Sequence, residues 1–156
     1  TQLRTMEEWK EQGRFRHIGI TTSNDRQYED MERVINSHDL DFIQVDYSLG
    51  NRNAGERLLP LAIDRGIAVL INLPFGRGRL FSAVGNRPLP DWAGEIDAES
   101  WAQVFLKYVM SHPANPIPIP GTTKPHHARD NLDAARGRLP DFTIRQEMEK
   151  FIDPLL

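Results

Sequence analysis

Apolar residues recur along the chain at two spacings, which alternate from one segment to the next. Leu3, Met6 and Trp9 lie at helical spacing. Gly13 follows them as a stop signal, so the pattern predicts a helix at the start of the chain. The next segment, 17–21, is a short apolar run that predicts a β-strand.

Two further strands are predicted at 41–48 and 67–72, so that strands begin near residues 17, 42 and 67. The repeat is about 25 residues, which is the length of one strand–loop–helix unit in a parallel sheet. Ser23 is the predicted N-cap of the first intervening helix, and Gly66 is the predicted end of the second. The spacing therefore predicts right-handed βαβ units.

The rest of the chain continues the alternation after a longer break. Segment 81–98 is polar, contains proline and glycine, and predicts an extended loop after the third strand. A helix follows in which Trp101 belongs to the core-facing side, and "IPIP" at 117–120 predicts the fourth strand. Two last helices are predicted, one through Asn131 and one after the "GRLPD" break at 137–141.

These units predict an α/β fold with about four parallel strands alternating with helices, plus a C-terminal helix. Such a chain matches either a small open sheet or half of a (β/α)8 TIM barrel, whose full form needs about 250 residues. With 156 residues the count favours half, so we expect 1–156 to form a single half-barrel domain. Because the edge strands and inner face of a half-barrel need a cover, we expect either a missing N-terminal half or a second copy, as a homodimer.

Composition and charge narrow the class of partner. A chain with 39% hydrophobic residues fits one soluble domain, and a formal charge of −3 argues against a nucleic-acid surface. The absence of cysteine removes disulfides and thiolate metal sites, and predicts a cytoplasmic protein. No apolar run reaches the roughly 20 residues of a membrane span. The polar start is not a signal peptide, and its lack of an initiator methionine suggests processing or a longer parent.

The stretch "IPIPGTTKPHHARDN" at 117–131 is a candidate anion site. Gly121, Thr122 and Thr123 supply small side chains, hydroxyls and N–H groups where a helix would begin, and helix N-termini attract phosphate. The alternative is an ordinary strand-to-helix turn, because Gly-Thr before proline is common turn chemistry. Taken alone, the stretch favours the ordinary turn.

Five motifs in order give the chain a family resemblance. They are "GRFRHIGITTS", "FIQVDYS", "LLPLAIDRGIAVLINLPFGRG", "WAQVFLKYVMSHP" and "IPIPGTTKPHHARDNLDAARGRLP". Together they resemble the C-terminal half of the aldo/keto reductases over nearly the whole chain. The resemblance implies strands five to eight of a (β/α)8 barrel. It also implies reduction of aldehydes and ketones with NADPH, bound extended across the C-terminal ends of the strands.

The resemblance implies a nicotinamide end of the cofactor site. Thr21 and Thr22 stand where the family has a Ser-Asn pair that hydrogen-bonds the carboxamide, and their hydroxyls can serve the same purpose. Gln44 matches the family's glutamine at the end of the sixth strand, which also holds the carboxamide. From the residue alone, the alternative for Gln44 is a strand amide satisfied by backbone.

The resemblance also implies a pyrophosphate cradle in "NLPFGRG", where backbone N–H groups surround the anion. The matching positions are Pro74, Phe75, Gly76 and Arg77. Two neighbours depart from the family pattern: Asn72 replaces an aromatic that stacks on the nicotinamide, and Leu73 replaces a small hydroxyl residue. Arg77 could equally be a solvated loop arginine.

The loop at 117–131 corresponds to the family's adenosine 2′-phosphate site. Gly121 stands for a lysine, Thr122 for a serine and His127 for an arginine. Asp130 and Asn131 stand for the Glu-Asn pair that holds adenine. Since two fixed positive charges are missing, the cofactor can be NADPH or NADH, with binding weakened or lost. The cations that could compensate are Lys124 and Arg129.

Other constellations predict no site. His126 and His127 are adjacent, so on a helix they point about 100° apart, and we expect no metal site. The acidic residues of 91–99 are interpreted as a solvent-facing cluster.

The family's catalytic tetrad, an aspartate, a tyrosine, a lysine and a histidine, lies on its first four strands, for which this chain has no counterpart. Tyr47 belongs to a strand motif instead. The first hypothesis is therefore the cofactor-side half of an NAD(P)H-dependent oxidoreductase, inactive alone. The second is a non-enzymatic half-barrel binding or regulatory module that self-associates.

Overall fold

The computed structural model describes residues 2–156, in which short parallel strands alternate with helices. The elements in chain order are α1 (Gln2–Glu11), β1 (Gly19–Thr21), α2 (Tyr28–Ser37), β2 (Phe42–Asp46), α3 (Leu58–Arg65), β3 (Ala68–Asn72), α4 (Arg79–Val84), α5 (Trp92–Glu95), α6 (Trp101–Met110), β4 (Ile117–Pro118), α7 (Pro125–Asp133) and α8 (Phe142–Ile152). The four predicted strands and the opening and closing helices are confirmed.

The strands form one parallel sheet in which the spatial order is the chain order, β1-β2-β3-β4. Thr21 is level with Gln44, and Gln44 with Leu70. Each crossover from one strand to its neighbour runs in the same direction along the sheet. A right-handed crossover then places every helix on the same face, as in a (β/α)8 barrel and unlike a doubly wound sheet, whose order reverses.

The face of the sheet that the helices cover carries the core. Ile43, Val45 and Ile71 have no exposed surface, and Val69 is almost fully buried. Helix α6 packs Val104, Phe105 and Tyr108 into the same cluster, as its apolar spacing predicts. Burying each such aliphatic or aromatic side chain stabilises the fold by about 1.5–3 kcal/mol, so this face fixes the register of the strands.

The opposite face of the sheet is uncovered. Thr21, Gln44, Leu70 and Ile117 share one register level and are half-buried or exposed. Ile117 is 55% exposed, and Ile119, two residues further along, is 43% exposed. In a complete (β/α)8 barrel this is the face that points inward. A β-sheet with exposed apolar side chains on one face is a surface that another element can bury.

Two sequence predictions are wrong in detail. Segment 81–98 is not an extended loop throughout, because it holds the end of α4 and all of α5. Leu80 and Val84, at helical spacing, are buried, and Gly85 ends α4 with φ +54°. The predicted cap Ser23 is also displaced by one residue: the Asn24 side chain accepts the N–H of Arg26 at 3.1 Å, at the start of a short 3-10 turn that leads into α2.

Within residues 2–156, no helix combines the length and apolar character needed to cross a bilayer. In the same part of the chain, no three His, Asp or Glu side chains are grouped so that they could bind a metal ion.

Candidate functional site

The carboxyl ends of the four strands form one rim, and the predicted site residues lie along it. Thr21 ends β1 and Thr22 follows it, while Gln44 lies two residues before the end of β2. The loops after β3 and β4 complete the rim. Because parallel strands point the same way, chain segments far apart in sequence meet at this edge, where α/β proteins bind ligands.

Gln44 and Thr21 are neighbours at one end of the rim. Their Cα atoms are partners in the register of β1 and β2, and their side chains are on the uncovered face. The Gln44 backbone carbonyl accepts the N–H of Thr22 at 2.9 Å, which extends the pairing past the strand. The half-buried amide of Gln44 and the exposed hydroxyl of Thr21 can therefore both contact a ligand that lies on the rim.

Thr22 has a different role from the one that the resemblance implies. Its side chain is 6% exposed, and its hydroxyl is 2.7 Å from Gln27 Oε1. Its carbonyl oxygen accepts Asn72 Nδ2 at 2.9 Å. Thr22 thus links the loop after β1 to the end of β3 and does not present its hydroxyl on the rim.

Asn72, at the end of β3, carries an unsatisfied acceptor. Its Nδ2 is bound to Thr22, but Oδ1 is buried without a hydrogen-bond partner in the described part of the chain. An unpartnered buried acceptor costs about 1–3 kcal/mol. This cost lies at the position where the family has an aromatic side chain.

The loop after β3 is wound into a strained turn. Leu73 and Arg77 adopt positive φ of 51° and 55°, and the intervening Gly76 has φ +55°. The N–H of Gly76 donates to the carbonyl of Leu73 at 2.8 Å, which closes the turn. Left-handed backbone costs a non-glycine residue about 1–2 kcal/mol, and such strain concentrates at binding sites. The turn directs Gly76 and Arg77 toward a cavity of about 210 Å³.

That cavity is lined by a buried carboxylate that is already hydrogen-bonded to other side chains. Asp46 is buried and lines it, together with Ser23 and Arg79. Its oxygens accept Tyr28 Oη at 2.9 Å and Asn51 Nδ2 at 2.8 Å. Burial and the carboxylate raise the pKa of Tyr28. The pair is a structural hydrogen bond between α2 and β2.

A second cavity, of about 370 Å³, lies between the loops after β3 and β4. It brings together five of the predicted site residues with five others. The lining residues are Phe75, Phe81, Ser100, Trp101, Ala102, Gly121, Thr122, His127, Asp130 and Asn131. Of the eleven predicted cofactor residues, the cavity therefore gathers the whole predicted adenosine end and one member of the cradle.

Aromatic rings form the apolar wall of the second cavity. The rings of Phe75 and Phe81 lie 5.0 Å apart, and Trp101 stacks on Phe105 at 5.7 Å. The indole Nε1 of Trp101 donates to the carbonyl of Arg87 at 3.0 Å, which fixes the plane of the ring. Trp101 packs against the core, as helical periodicity predicts, and at the start of α6 it also borders the cavity.

Asp130 is clamped to the start of α6. Its Oδ2 accepts Ser100 Oγ at 2.8 Å, and its Oδ1 accepts Gln103 Nε2 at 2.6 Å. Ser100 is also the N-cap of α6 and accepts the N–H of Gln103 at 3.1 Å. Sequence reasoning missed both residues, although Ser-x-x-Gln before an apolar run is the signature of a capping box.

The charge of the second cavity is negative. Among its ten lining residues Asp130 is a carboxylate, and none is Lys or Arg. Lys124 and Arg129, the cations that could compensate, are exposed and do not line it. His126 and His127 pack ring against ring at 4.3 Å, and His127 alone of the two borders the cavity.

Tyr47 follows the end of β2, lines the 210 Å³ cavity, and takes part in a network between the sheet and two helices. It is 2% exposed, stacks on Tyr108 at 6.0 Å and accepts Arg145 Nη2 at 3.0 Å. His112 packs edge-on against Tyr47 at 5.4 Å. Burial, with Arg145 nearby, lowers the pKa of His112 to about 4. These contacts hold the Tyr47 side chain in the core.

Solved structures share this architecture. An aldo/keto reductase from Klebsiella pneumoniae, solved in complex with NADPH, superposes with a TM-score of 0.75 at 22% identity, over 96% of this chain and 52% of that chain. An aldo-keto reductase from Bacillus halodurans superposes with a TM-score of 0.72 at 20% identity, over 96% of this chain and 54% of that chain. The prediction of half a (β/α)8 barrel is confirmed.

Curated relatives resemble the chain in sequence, again over about half of their own length. Pyridoxine 4-dehydrogenase of Escherichia coli is 27% identical over 91% of this chain and 47% of its own length. NADH-specific methylglyoxal reductase of the same organism is 25% identical over 95% of this chain and 53% of its own length. The chain thus spans about half the length of these relatives. The aldo/keto reductase family pattern matches residues 1–150, and the chain belongs to the aldo/keto reductase family.

Proposed function

We propose that this chain is the cofactor-binding half of an NAD(P)H-dependent aldo/keto reductase. The observation that carries the proposal is the 370 Å³ cavity, because it gathers Phe75 from the loop after β3, Gly121 and Thr122 from the loop after β4, and Asp130 and Asn131 from α7. Such a cavity has the size and the mixture of aromatic walls and few polar groups that small-molecule sites have.

An extended dinucleotide would contact the rim at three places. Asn131 and the rings of Phe75 and Trp101 hold the adenosine in the second cavity. The turn at Gly76 and Arg77 holds the pyrophosphate, since its backbone is already bent toward the 210 Å³ cavity. Gln44 and Thr21 hydrogen-bond the carboxamide and orient the nicotinamide ring. When bound, the dinucleotide supplies a hydride to a carbonyl carbon.

We propose that the proton for the carbonyl oxygen comes from a residue outside these 156. A general acid has to lie within hydrogen-bond reach of the substrate. Tyr47 is buried against Tyr108 and Arg145, and Asp46 is bonded to Tyr28 and Asn51. We propose that the tetrad is contributed by an N-terminal half that covers the open face of the sheet. The chain alone would bind the dinucleotide without turning over a carbonyl.

The second candidate is a non-enzymatic function. The chain would then be a reductase-like half-barrel that serves as a binding or regulatory module and self-associates. The observation in its favour is the uncovered sheet face, with Ile117 and Ile119 exposed, which a second copy can bury. The absence of Lys and Arg from the lining of the second cavity agrees with a module that has lost affinity for a phosphorylated cofactor. Such a module would be dimeric and would bind dinucleotide weakly or not at all.

Calorimetric titration of the chain with NADH and with NADPH distinguishes the two. The first proposal predicts saturable binding of at least one nucleotide, weakened about tenfold or more by Asn131→Ala. Asn36→Ala, at an exposed position on α2, is the matched control and leaves the affinity unchanged. Absence of binding at millimolar nucleotide would leave the second proposal. Carbonyl reduction by the chain alone would contradict both.

A further inference from the structure

We propose that helix α7 tilts between two positions and thereby gates the second cavity. In the position that the structure describes, Asp130 holds α7 against the start of α6. In the other position, the two hydrogen bonds of Asp130 are broken and α7 lies against an apolar groove on a neighbouring side of the helix. The proposal goes beyond the proposed function, because it concerns the helix itself and is the same for any ligand.

The N-terminal end of α7 is weakly attached to the rest of the fold. None of the nine residues of α7 is buried, and every residue of 121–129 is exposed. The N-cap Lys124 makes no side-chain cap hydrogen bond, and a Cβ at Gly121 would meet no atom within 4 Å. Because helices in proteins owe most of their stability to packing of an apolar face, a helix without a buried side chain opens at a lower free energy than the core.

The C-terminal end of α7 is anchored and can act as the pivot. Ala134, directly after the helix, has no exposed surface. The buried ammonium group of Lys107 on α6 donates to the carbonyl oxygens of Arg136 and Arg138, the latter at 3.0 Å. Arg138 in turn donates to both carboxylate oxygens of Asp97. These anchors all follow the helix, so they leave its N-terminal end free to swing.

Asp130 is the connection that holds the middle of α7 in place. Its carboxylate accepts Ser100 Oγ at 2.8 Å and Gln103 Nε2 at 2.6 Å, both at the start of α6. Within residues 2–156, no other side chain of α7 is hydrogen-bonded to another helix or to the sheet. The observed position of α7 therefore depends on one carboxylate.

An apolar groove of about 620 Å³ between α6, β4 and α7 provides the second position. Its walls include Leu106 and Met110 of α6 and Ala128 and Leu132 of α7. Leu132 is 74% exposed in the observed position. A tilt of α7 about its anchored end would narrow the groove and bury Leu132 against α6, which compensates in part for the lost hydrogen bonds of Asp130. Asn131 borders both the groove and the second cavity, so α7 separates the two spaces.

The tilt would open the second cavity. His127, Asp130 and Asn131 form the wall that α7 contributes, and Ser100 and Trp101 lie on the wall of α6. When α7 moves toward the groove, these two walls separate and the entrance widens. A helix with two packed positions is a bistable element of the kind that opens and closes binding sites.

Relaxation-dispersion NMR on the chain without any ligand tests the motion. We expect microsecond-to-millisecond exchange at the amides of α7 and at those of Ser100 and Trp101, with one common rate, and none at Met148 and Ile152, the buried residues of α8. Flat dispersion profiles at the α7 amides would overturn the proposal. Because no nucleotide is present, this result is independent of the proposed function.

A disulfide trap locates the second position of α7. The chain has no cysteine, so Met110→Cys with Leu132→Cys introduces a single pair across the groove, and a disulfide needs Cα atoms within about 7 Å. In oxidised glutathione, adding Asp130→Ala should speed disulfide formation about fivefold or more, because it raises the population of the tilted position.

Asp133→Ala is the matched control for the trap. It removes a carboxylate of the same helix that pairs with Arg136 rather than with α6. We expect this variant to leave the rate of disulfide formation within about twofold of the parent pair. Equal rates in the Asp130 and Asp133 variants, or no disulfide in either, would overturn the groove as the second position.

Discussion

Gln103 on α6 donates from Nε2 to Asp130 Oδ1 on α7 at a distance of 2.6 Å, and this bond joins the two helices that enclose the second cavity. Gln103 is 5% exposed, and its Oε1 accepts the backbone N–H of Glu99 at 2.9 Å. One side chain therefore fixes both the start of α6 and the position of α7. The cavity is formed before a ligand binds.

Gln103→Ala should lower the free energy of unfolding by about 1.5–3 kcal/mol, because a nearly buried hydrogen bond to a charged group is lost and Asp130 keeps only Ser100. Chemical denaturation measures this. Gln12→Ala, at an exposed position, is the control and should change stability by less than about 0.5 kcal/mol. An equal effect of both substitutions would show that the hydrogen bond between Gln103 and Asp130 does not stabilise the fold.

Gly137→Ala should destabilise the chain by more than Gly13→Ala. Both glycines have similar positive φ, +73° and +69°. A Cβ at Gly13 meets nothing within 4 Å, whereas one at Gly137 would lie 2.7 Å from Asp97 Oδ2. Gly13→Ala therefore reports the backbone cost, about 1–2 kcal/mol, and Gly137→Ala adds the collision with Asp97.

The collision matters because Asp97 binds Arg138 through two of its side-chain nitrogens, at 3.0 Å and 2.8 Å, and through its backbone N–H at 2.9 Å. Thermal denaturation of the two glycine variants checks the difference. Equal losses of stability would contradict the close approach of Gly137 to Asp97.

Stability should fall on acidification between about pH 6.5 and pH 4 because of His112. Burial and Arg145 lower the pKa of His112 to about 4 in the folded chain, whereas the unfolded chain has the ordinary value of 6.5. In this window the unfolded state binds a proton that the folded state does not, so unfolding becomes more favourable as the pH falls. The loss approaches about 3 kcal/mol at pH 4.

His112→Gln provides the control, since it removes the titrating ring. Denaturation midpoints of this variant should vary less than those of the parent chain between pH 6.5 and pH 4. Parallel pH profiles for the two proteins would show that His112 is not the group responsible.

The uncovered sheet face should make the isolated chain self-associate. Ile119→Lys places a charge on that face and should shift the chain toward monomer in sedimentation velocity. Ile63→Lys is the matched control, because Ile63 is also exposed but lies on α3, on the helical side of the sheet. Loss of association in both variants, or in neither, would contradict a role for this face.

The order of strands could be predicted from the sequence because each strand is short, apolar and followed by a helix at a nearly constant interval. Strands expected near 17, 42 and 67 begin at 19, 42 and 68. Helices α4 and α5 were missed because they have six and four residues, too few for helical periodicity to be read. Their burial, through Leu80 and Ala93, is decided by packing on the rest of the chain.

The site could be predicted only in part. Gly121, Thr122, Asp130 and Asn131 come from one stretch of sequence, so their proximity was expected, and the cavity gathers them. Ser100 and Trp101 are distant in sequence from that stretch, and their place in the cavity depends on how α6 packs against α7. The burial of the Thr22 hydroxyl likewise depends on Gln27, which no motif indicated.

An NMR titration with NADH tests whether the chain alone holds a dinucleotide along its rim. We expect saturable shifts at both ends of the rim at once, at Thr21 and Gln44 and at Gly121 and Asn131, with one dissociation constant. Shifts confined to other surfaces, or none at millimolar NADH, would contradict it.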